Sequence, residues 1–527
     1  MDFYFDAQRK LLIYPRSDQI RQAIPEAREI NGALVAVPQT LRNSQILRHW
    51  QYPVAPIIDA YDWPAPPGIV PYASQKLAAN FMVLHPRCFN LSDMGVGKTN
   101  ATLWAADWLM RQHAPGTFRA LIVAPLSILQ TVWANAIARN FLGSRKVEIL
   151  HGTAEQRLAA LRRDADYYLV NFDGVGVGAH TRKKFELGGF SRELAGRQDI
   201  QLAVVDEASA YKDSQTKRHR IARLVFGTKP YLWLLSGTPT PNSPTDAFGL
   251  AKLVNNAWGK SFTGFRAETM QKITQFKWVP TRDGYDKARQ LLSPAIRFDI
   301  AQVWDGPALT TQQREVPLTD QQKKLMADLK RDLVITIKTG QPITAINEAA
   351  SRTKFMQISL GGVYDSDHKP HWVDAAPRLS ELRAVIDEAP AKLLIFVPLT
   401  SIVNLLYKEL KEHTREIVNG DTSQKDRARI FQAFQSGADP RLLIVDPGCV
   451  SHGLDLWAAR TVVWYGPTDK TELYLQANKR AHRPGQTGPV SIVQLVSNKL
   501  EREIFRRLEN NETMQGALLQ LVAKGDL

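Results

Sequence analysis

The hydrophobic pattern changes period several times along the chain. Near the start, Phe3-Tyr4-Phe5 and Leu11-Leu12-Ile13-Tyr14 alternate as a hairpin would, a helix-like stretch covers Ser17–Ile30, and Ala33-Leu34-Val35-Ala36-Val37 reads as a strand. Tyr61-Asp62-Trp63-Pro64-Ala65-Pro66-Pro67-Gly68 is rich in Pro and Gly and reads as a linker. From about residue 70 to 250, short apolar runs (Ala120–Ala124, Tyr167–Asn171, Leu202–Val205, Leu232–Leu235) alternate with helical patterns, as buried parallel strands do. Residues 250–385 are more polar and helical, for example Asp320–Ile337 and Ala345–Ile358, and predict few strands. The α/β rhythm then returns in Lys392–Val397, Leu442–Val445 and Thr461–Tyr465. The expected class is α/β: two parallel-sheet domains (66–250 and 386–527), a helical insertion between them (251–385) and a small α+β N-terminal accessory domain (1–65).

Composition narrows the class. With 44% hydrophobic and 23% charged residues the chain is typical of globular proteins. No run of about 18 apolar residues predicts a membrane span, and the acidic, alternating Met1–Asp6 is not a signal peptide. Two cysteines, Cys88 and Cys449, make no disulfide framework or zinc site, and a reducing, cytoplasmic setting is expected. The net charge of +15 draws polyanions such as nucleic acid, or else marks a basic, solvated surface.

Candidate chemistry begins at Ser92-Asp93-Met94-Gly95-Val96-Gly97-Lys98-Thr99, which follows an apolar run and precedes a helical one. That is the strand–loop–helix setting of a phosphate loop, although Ser92 stands where such a loop usually has its first glycine. The glycines let backbone N–H groups face phosphate, Lys98 would bridge the β- and γ-phosphates, and Thr99 would hold Mg²⁺. Downstream, Leu202-Ala203-Val204-Val205-Asp206-Glu207 ends an apolar strand in two acids. At the carboxyl edge of a sheet, Asp206 would position Mg²⁺ through water and Glu207 would orient the attacking water; a helix N-terminus carrying favourable acids is the other reading. Ser236 and Thr238, in the turn after Leu235, would sense that acid pair, or simply form a turn. Upstream, Gln75 offers a donor and an acceptor suited to adenine and Tyr72 a stacking face, unless both are plain surface residues.

In the second α/β region, Gln476-Ala477-Asn478-Lys479-Arg480-Ala481-His482-Arg483-Pro484-Gly485-Gln486 carries Arg480 and Arg483 at i and i+3, expected on one helix face. Permanently charged guanidinium groups suit a γ-phosphate and its transition state. Asp455, within Ser451-His452-Gly453-Leu454-Asp455-Leu456, is placed to reach ribose or the arginine pair.

This ordered set resembles superfamily 2 helicases and translocases, most closely the Swi/Snf-type branch, over roughly residues 70–510. The resemblance rests on Asp93–Thr99, on Ile122-Val123-Ala124-Pro125-Leu126-Ser127-Ile128-Leu129 followed by Trp133, on Leu235-Ser236-Gly237-Thr238-Pro239, on Gly420-Asp421-Thr422 followed by Arg427, and on the His482-Arg483-Pro484-Gly485-Gln486 ending. Ser209, Asn171-Phe172 and Trp457 depart from the usual pattern. The compact length looks more like phage or bacterial members, which for a phage protein means the host cytoplasm.

The resemblance implies two RecA-like domains and a nucleic-acid-stimulated ATPase using ATP and Mg²⁺. Nucleotide contacts are implied at Tyr72, Gln75, Asp93, Met94, Gly95, Val96, Gly97, Lys98, Thr99, Asp455 and Gln476. Catalytic roles fall to Lys98, Asp206, Glu207, Arg480 and Arg483, Mg²⁺ to Thr99 and Asp206, and coupling to Ser236 and Thr238. Sequence-independent backbone contacts to DNA are implied at Pro125, Ser127, Trp133, Asn171, Phe172, Gly420, Thr422, Ser451 and Gly453. The expected activity is translocation on duplex, forked or branched DNA. The alternatives are a strand-separating DNA or RNA helicase and a non-catalytic DNA-binding scaffold.

Overall fold

The computed structural model describes residues 3–58, 60–181, 185–273, 278–338, 345–364, 370–414, 416–450 and 456–510. The chain divides into two compact units: Met1–Thr240, Pro244–Gln271 and Val279–Val303 in the first, Pro241–Ser243, Lys272–Trp278 and Trp304–Leu527 in the second.

The N-terminal residues form a four-stranded antiparallel sheet ordered Tyr4–Asp6, Leu11–Pro15, Leu34–Pro38, Arg28–Ile30, with the expected hairpin at one edge. The helix expected over Ser17–Ile30 is only Asp18–Ala23. Ile24 is extended because Pro25 follows it, and a residue before proline is pushed out of the α region. Arg28–Ile30 is therefore free to pair as a strand. The segment read as a linker is packed. The Tyr61 hydroxyl donates to buried Asp107 (2.6 Å), and Trp104 Nε1 donates to the Pro64 carbonyl (2.6 Å). Gln45 Nε2 also donates to the Val83 carbonyl (2.8 Å), so this module is hydrogen-bonded to the α/β layer behind it.

In the first unit, seven parallel strands are ordered Ala295–Ile296, Arg87–Asn90, Tyr231–Leu235, Ile200–Val205, Arg119–Ala124, Tyr167–Asn171, Val147–Leu150. Their near-continuous apolar runs are buried on both faces, as strands sandwiched between helices must be. The second unit holds six parallel strands ordered Leu309–Glu315, Val490–Val496, Ala459–Trp464, Lys392–Phe396, Leu442–Val445, Ile417–Val418. These two sheets with their helices are the two RecA-like α/β layers that the motif order implies.

Residues 251–385 contain the two expected long helices, Asp320–Lys338 and Ala345–Leu360. They also contain strands where few were expected. Ala295–Ile296 is an edge strand of the first sheet and Leu309–Glu315 an edge strand of the second. The latter reads Leu-Thr-Thr-Gln-Gln-Arg-Glu and is mostly exposed, so it carries no apolar run to betray it. Among the described residues no helix is long and apolar enough to cross a membrane.

Candidate functional site

All strands of the first sheet run the same way, so every loop leaving a strand's carboxyl end lies on one edge. The phosphate loop leaves Arg87–Asn90, the Pro125–Ser127 turn leaves Arg119–Ala124, Asn171-Phe172 ends Tyr167–Asn171, the acid pair leaves Ile200–Val205, and Ser236–Thr238 leaves Tyr231–Leu235. Ligands of parallel α/β sheets bind at that edge.

The phosphate loop is built by two glycines in the left-handed region, Gly95 (φ 89°) and Gly97 (φ 81°), and Gly97 caps the helix Lys98–Arg111. Lys98 thus begins a helix whose first N–H groups and dipole favour an anion. Its ammonium donates to the carbonyls of Ser92 (2.7 Å) and Asp93 (2.9 Å), across the mouth of the loop. Thr99 is half-buried in the first turn. Ser92, at the usual glycine position, has its own work. Its N–H donates to Asn90 Oδ1 (3.2 Å), and its Oγ accepts the N–H of Phe298 (3.1 Å) from the segment after the edge strand. Asp93 donates its N–H to the Phe298 carbonyl (2.9 Å).

Gln75 is buried, with Oε1 accepting the Tyr72 N–H (2.9 Å), and its amide lies against Gly97. A Cβ on Gly97 would stand 1.8 Å from Gln75 Nε2. Gly97→Ala therefore combines left-handed strain, ~1–2 kcal/mol, with displacement of a buried amide. Nucleotide affinity is expected to fall at least about tenfold with little loss of fold, as read by titrating a fluorescent nucleotide. Tyr72 is exposed at the N-cap of the helix Ala73–Leu84.

The acid pair is rigid. Asp206 Oδ1 accepts the N–H of Glu207 (3.0 Å), and Oδ2 accepts the indole N–H of Trp133 (3.0 Å). Glu207 is a non-glycine in the left-handed region (φ 51°, ψ 53°), a conformation that costs ~1–3 kcal/mol and clusters at functional sites. The Ser236–Thr238 turn abuts the phosphate loop: a Cβ on Gly237 would lie 3.3 Å from Met94 Cγ. Buried Ser236 donates its N–H to the Asn90 carbonyl (3.1 Å), and its Oγ accepts the Thr238 N–H (3.2 Å). Asp93–Thr99, Gln75, Asp206, Glu207, Ser236 and Thr238 thus gather at one edge.

The expected DNA contacts divide. Ser127 is exposed, but Pro125 and Trp133 are buried. Trp133 is turned inward to the acid pair, which corrects its expected place at the nucleic-acid surface. Phe172 is half-buried, its ring edge-on to Tyr211 (5.6 Å) and partly covered by Arg218 (5.8 Å). Half-buried Asn171 has a buried Oδ1 beside Gly174.

In the second unit, Arg480 lies in the last turn of the helix Thr471–Ala481, buried, with Nε donating to the Val450 carbonyl (3.0 Å). The shared helical face expected for Arg480 and Arg483 is not formed. His482 is extended (φ -100°, ψ 91°) and ends the helix, and Arg483, restrained by Pro484, lies beyond it. Gln476, expected at the nucleotide, is buried and donates to Glu472 Oε1 (3.1 Å). Ser451, Gly453 and Asp455 lie outside the described residues.

The Gly420–Thr422 turn is exposed at its tip and tied from beneath. Asn419 Oδ1 accepts the Asp421 N–H (3.0 Å), while Arg427 donates to the carbonyls of Thr422 (2.9 Å), Asn419 (2.9 Å) and Gly420 (3.1 Å). Gln486, singled out only as a motif ending, is a structural staple. Its Nε2 lies within hydrogen-bond reach of the carbonyls of Trp457 (2.8 Å), Ala459 (3.0 Å) and Ala481 (3.1 Å), and its Oε1 accepts from Thr487 and Gly488. Gly485 (φ 109°) is where the Trp457 indole passes: a Cβ there would sit 3.0 Å from Nε1. Side-chain roles of this kind have no local signature.

The residue types of the loop and acids fit a nucleotide and Mg²⁺: Gly95 and Gly97 open the loop in the left-handed region, Gly97 has no room for a Cβ beside Gln75, and Asp206 is a carboxylate hydrogen-bonded in place. Among the described residues no cluster of three His, Cys, Asp or Glu is arranged to hold a metal by itself.

A family model for the SNF2-related domain matches residues 88–361, and one for the helicase conserved C-terminal domain matches residues 377–485. Protein p41 of Acyrthosiphon pisum secondary endosymbiont phage 1 is 23% identical over 477 residues, which cover 86% of this chain and 99% of p41. YwqA of Bacillus subtilis, provisionally named an ATP-dependent helicase/translocase, is 23% identical over 444 residues, covering 81% of this chain and 46% of YwqA. The chain therefore spans nearly all of the phage relative and under half of the bacterial one. A Sulfolobus solfataricus SWI2/SNF2 ATPase core in complex with dsDNA aligns over 88% of this chain and 95% of that one, at 19% identity and a TM-score of 0.40.

Proposed function

This chain belongs to the SNF2-related family and is an ATPase/helicase-type enzyme; from that premise we propose that it is an ATP-driven motor that translocates on duplex DNA without reading its sequence. The observation that carries the proposal is the convergence, at one sheet edge, of the glycine cradle with Lys98, the Asp206–Glu207 pair and the Ser236–Thr238 turn. Lys98 binds the β- and γ-phosphate oxygens of ATP. Glu207 orients a water for attack on the γ-phosphorus and takes its proton as ADP leaves. Thr99 and Asp206 would hold Mg²⁺, which would supply charge neutralisation on the phosphates.

Nucleic acid is gripped by its backbone, at exposed Ser127 and at the Gly420–Thr422 turn, by small polar groups that carry no sequence information. The net charge of +15 supports binding that weakens steeply with salt. Triplex displacement beside forked-duplex unwinding tests the reading. ATP-dependent displacement of the third strand with the fork left paired is the expected result. Unwinding of the fork without triplex displacement makes the protein a strand-separating helicase, and the absence of any DNA-stimulated phosphate release makes it a non-catalytic scaffold.

A further inference from the structure

Between Pro125 and Phe141 the backbone is one continuous helical run with an unusual middle: a helical turn Leu126–Ile128, a π-helical turn Leu129–Ala134 and an α-helix Asn135–Phe141. The Asn135 N–H reaches back to the Gln130 carbonyl, the wide spacing of a π-turn. Leu129, Trp133, Ile137 and Phe141 recur every fourth residue and are all buried. That spacing drifts around an ideal 3.6-residue helix but stays on one face across a wider turn. Three side chains donate to carbonyls in this stretch: Thr131 Oγ1 to Ser127 (2.9 Å), Asn135 Nδ2 to Thr131 (3.1 Å) and Asn140 Nδ2 to Ala136 (2.9 Å). The widened turn delivers the fully buried Trp133 indole to Asp206 Oδ2 at 3.0 Å.

We infer that Trp133 is a positioning residue that sets the Asp206 carboxylate for Mg²⁺ and couples that setting to nucleic acid at Ser127, at the start of the same helical run. With Oδ2 held by the indole and Oδ1 by the Glu207 N–H, the carboxylate plane is fixed. Each oxygen keeps lone-pair capacity for a Mg²⁺-bound water. Outer partners that orient a metal-binding carboxylate typically change metal affinity 10–100-fold when removed. Because Ser127 and Trp133 lie on one run whose turn is already widened, a contact at its exposed end and the hydrogen bond at its buried side draw on the same backbone. Coupling of that kind is reciprocal. The inference rests on the reading of Asp206 as the Mg²⁺-ordering acid.

The test is binding, not turnover. A fluorescent non-hydrolysable ATP analogue is titrated with Mg²⁺, with and without duplex DNA, on the wild type, Trp133→Phe and Asp206→Asn. In the wild type, DNA is expected to lower the half-saturating Mg²⁺ about fivefold or more. Trp133→Phe keeps the buried ring and loses the N–H. Its half-saturating Mg²⁺ is expected to rise about tenfold, its Mg²⁺-free nucleotide affinity to stay at the wild-type level, and the DNA-induced shift to disappear. A purely structural tryptophan would lower both affinities together. Wild-type Mg²⁺ dependence in Trp133→Phe overturns the positioning role. Absence of a DNA shift in the wild type overturns the coupling, and that measurement decides even where the variant does not fold. Asp206→Asn with unaltered Mg²⁺ dependence and hydrolysis instead removes the reading of the acid pair, a distinguishable failure.

Discussion

Lys98→Ala and Glu207→Gln are each expected to lower DNA-stimulated phosphate release by about 10³-fold or more, to the limit of a coupled assay. The two losses have different origins and separate in binding. Lys98 contributes charge at the mouth of the phosphate loop, where its ammonium spans the Ser92 and Asp93 carbonyls. Its removal also weakens nucleotide binding. Glu207→Gln keeps the side-chain volume and the left-handed backbone, so nucleotide binding is expected to stay within about threefold while the base for the attacking water is gone. Thermal unfolding should not distinguish either variant from wild type. Turnover within about tenfold of wild type in Glu207→Gln would remove it as the base.

The largest stability effect is expected far from the nucleotide, in the second unit. Glu501→Gln should destabilise that unit by about 3–5 kcal/mol, read as a fall in its denaturant midpoint. Arg378 and Glu501 are both fully buried, paired through Arg378 Nη2 at 2.6 and 2.8 Å from the two carboxylate oxygens. The pair is not isolated. The Ser359 hydroxyl and the Ser497 N–H each donate to Glu501 (2.6 Å), and Arg378 also donates to the carbonyls of Tyr465 and Leu495 (3.3 Å). These partners come from helices Ala345–Leu360, Ala376–Glu388 and Lys499–Glu509 and from the ends of two strands, so the network joins the layers of the unit. Neutralising one member strands the guanidinium charge out of reach of water, which costs more than the pair contributes. Replacing both, as Arg378→Met with Glu501→Leu, should recover most of the loss. A Glu501→Gln midpoint equal to wild type would mean that water reaches the guanidinium.

The residues that were legible in sequence share one property: their chemistry depends on neighbours in the chain. Gly95, Gly97 and Lys98 follow a strand and open a helix, and that order alone places them at a sheet edge. Asp206-Glu207 ends an apolar strand and inherits the same edge. Local chemistry also misled. Arg480 and Arg483 have helical spacing, yet the helix stops at Ala481, and Arg483, directly before Pro484, is kept out of the α region. Pro25 cut the expected Ser17–Ile30 helix for the same reason. Trp133 belongs to the motif that suggested a DNA contact, but the π-turn directs it inward.

Taken by itself, the sequence determined the class of fold, the order of its two α/β layers and the nucleotide loop with its acid pair. Buried parallel strands must be continuously apolar, and a phosphate cradle must have glycine where φ is positive, so both leave marks in the linear chain. Only the tertiary structure decided which partner each polar side chain takes. Trp133 with Asp206, Ser92 with Phe298, Gln75 with Gly97, Gln486 with the carbonyls of Trp457 and Ala459, and Arg378 with Glu501 are pairings across tens to hundreds of residues. The edge strand Leu309–Glu315 belongs with them. Its backbone finds a partner in Val490–Val496 although its exposed side chains carry no pattern, because hydrogen bonding of the main chain is indifferent to the residues that bear it.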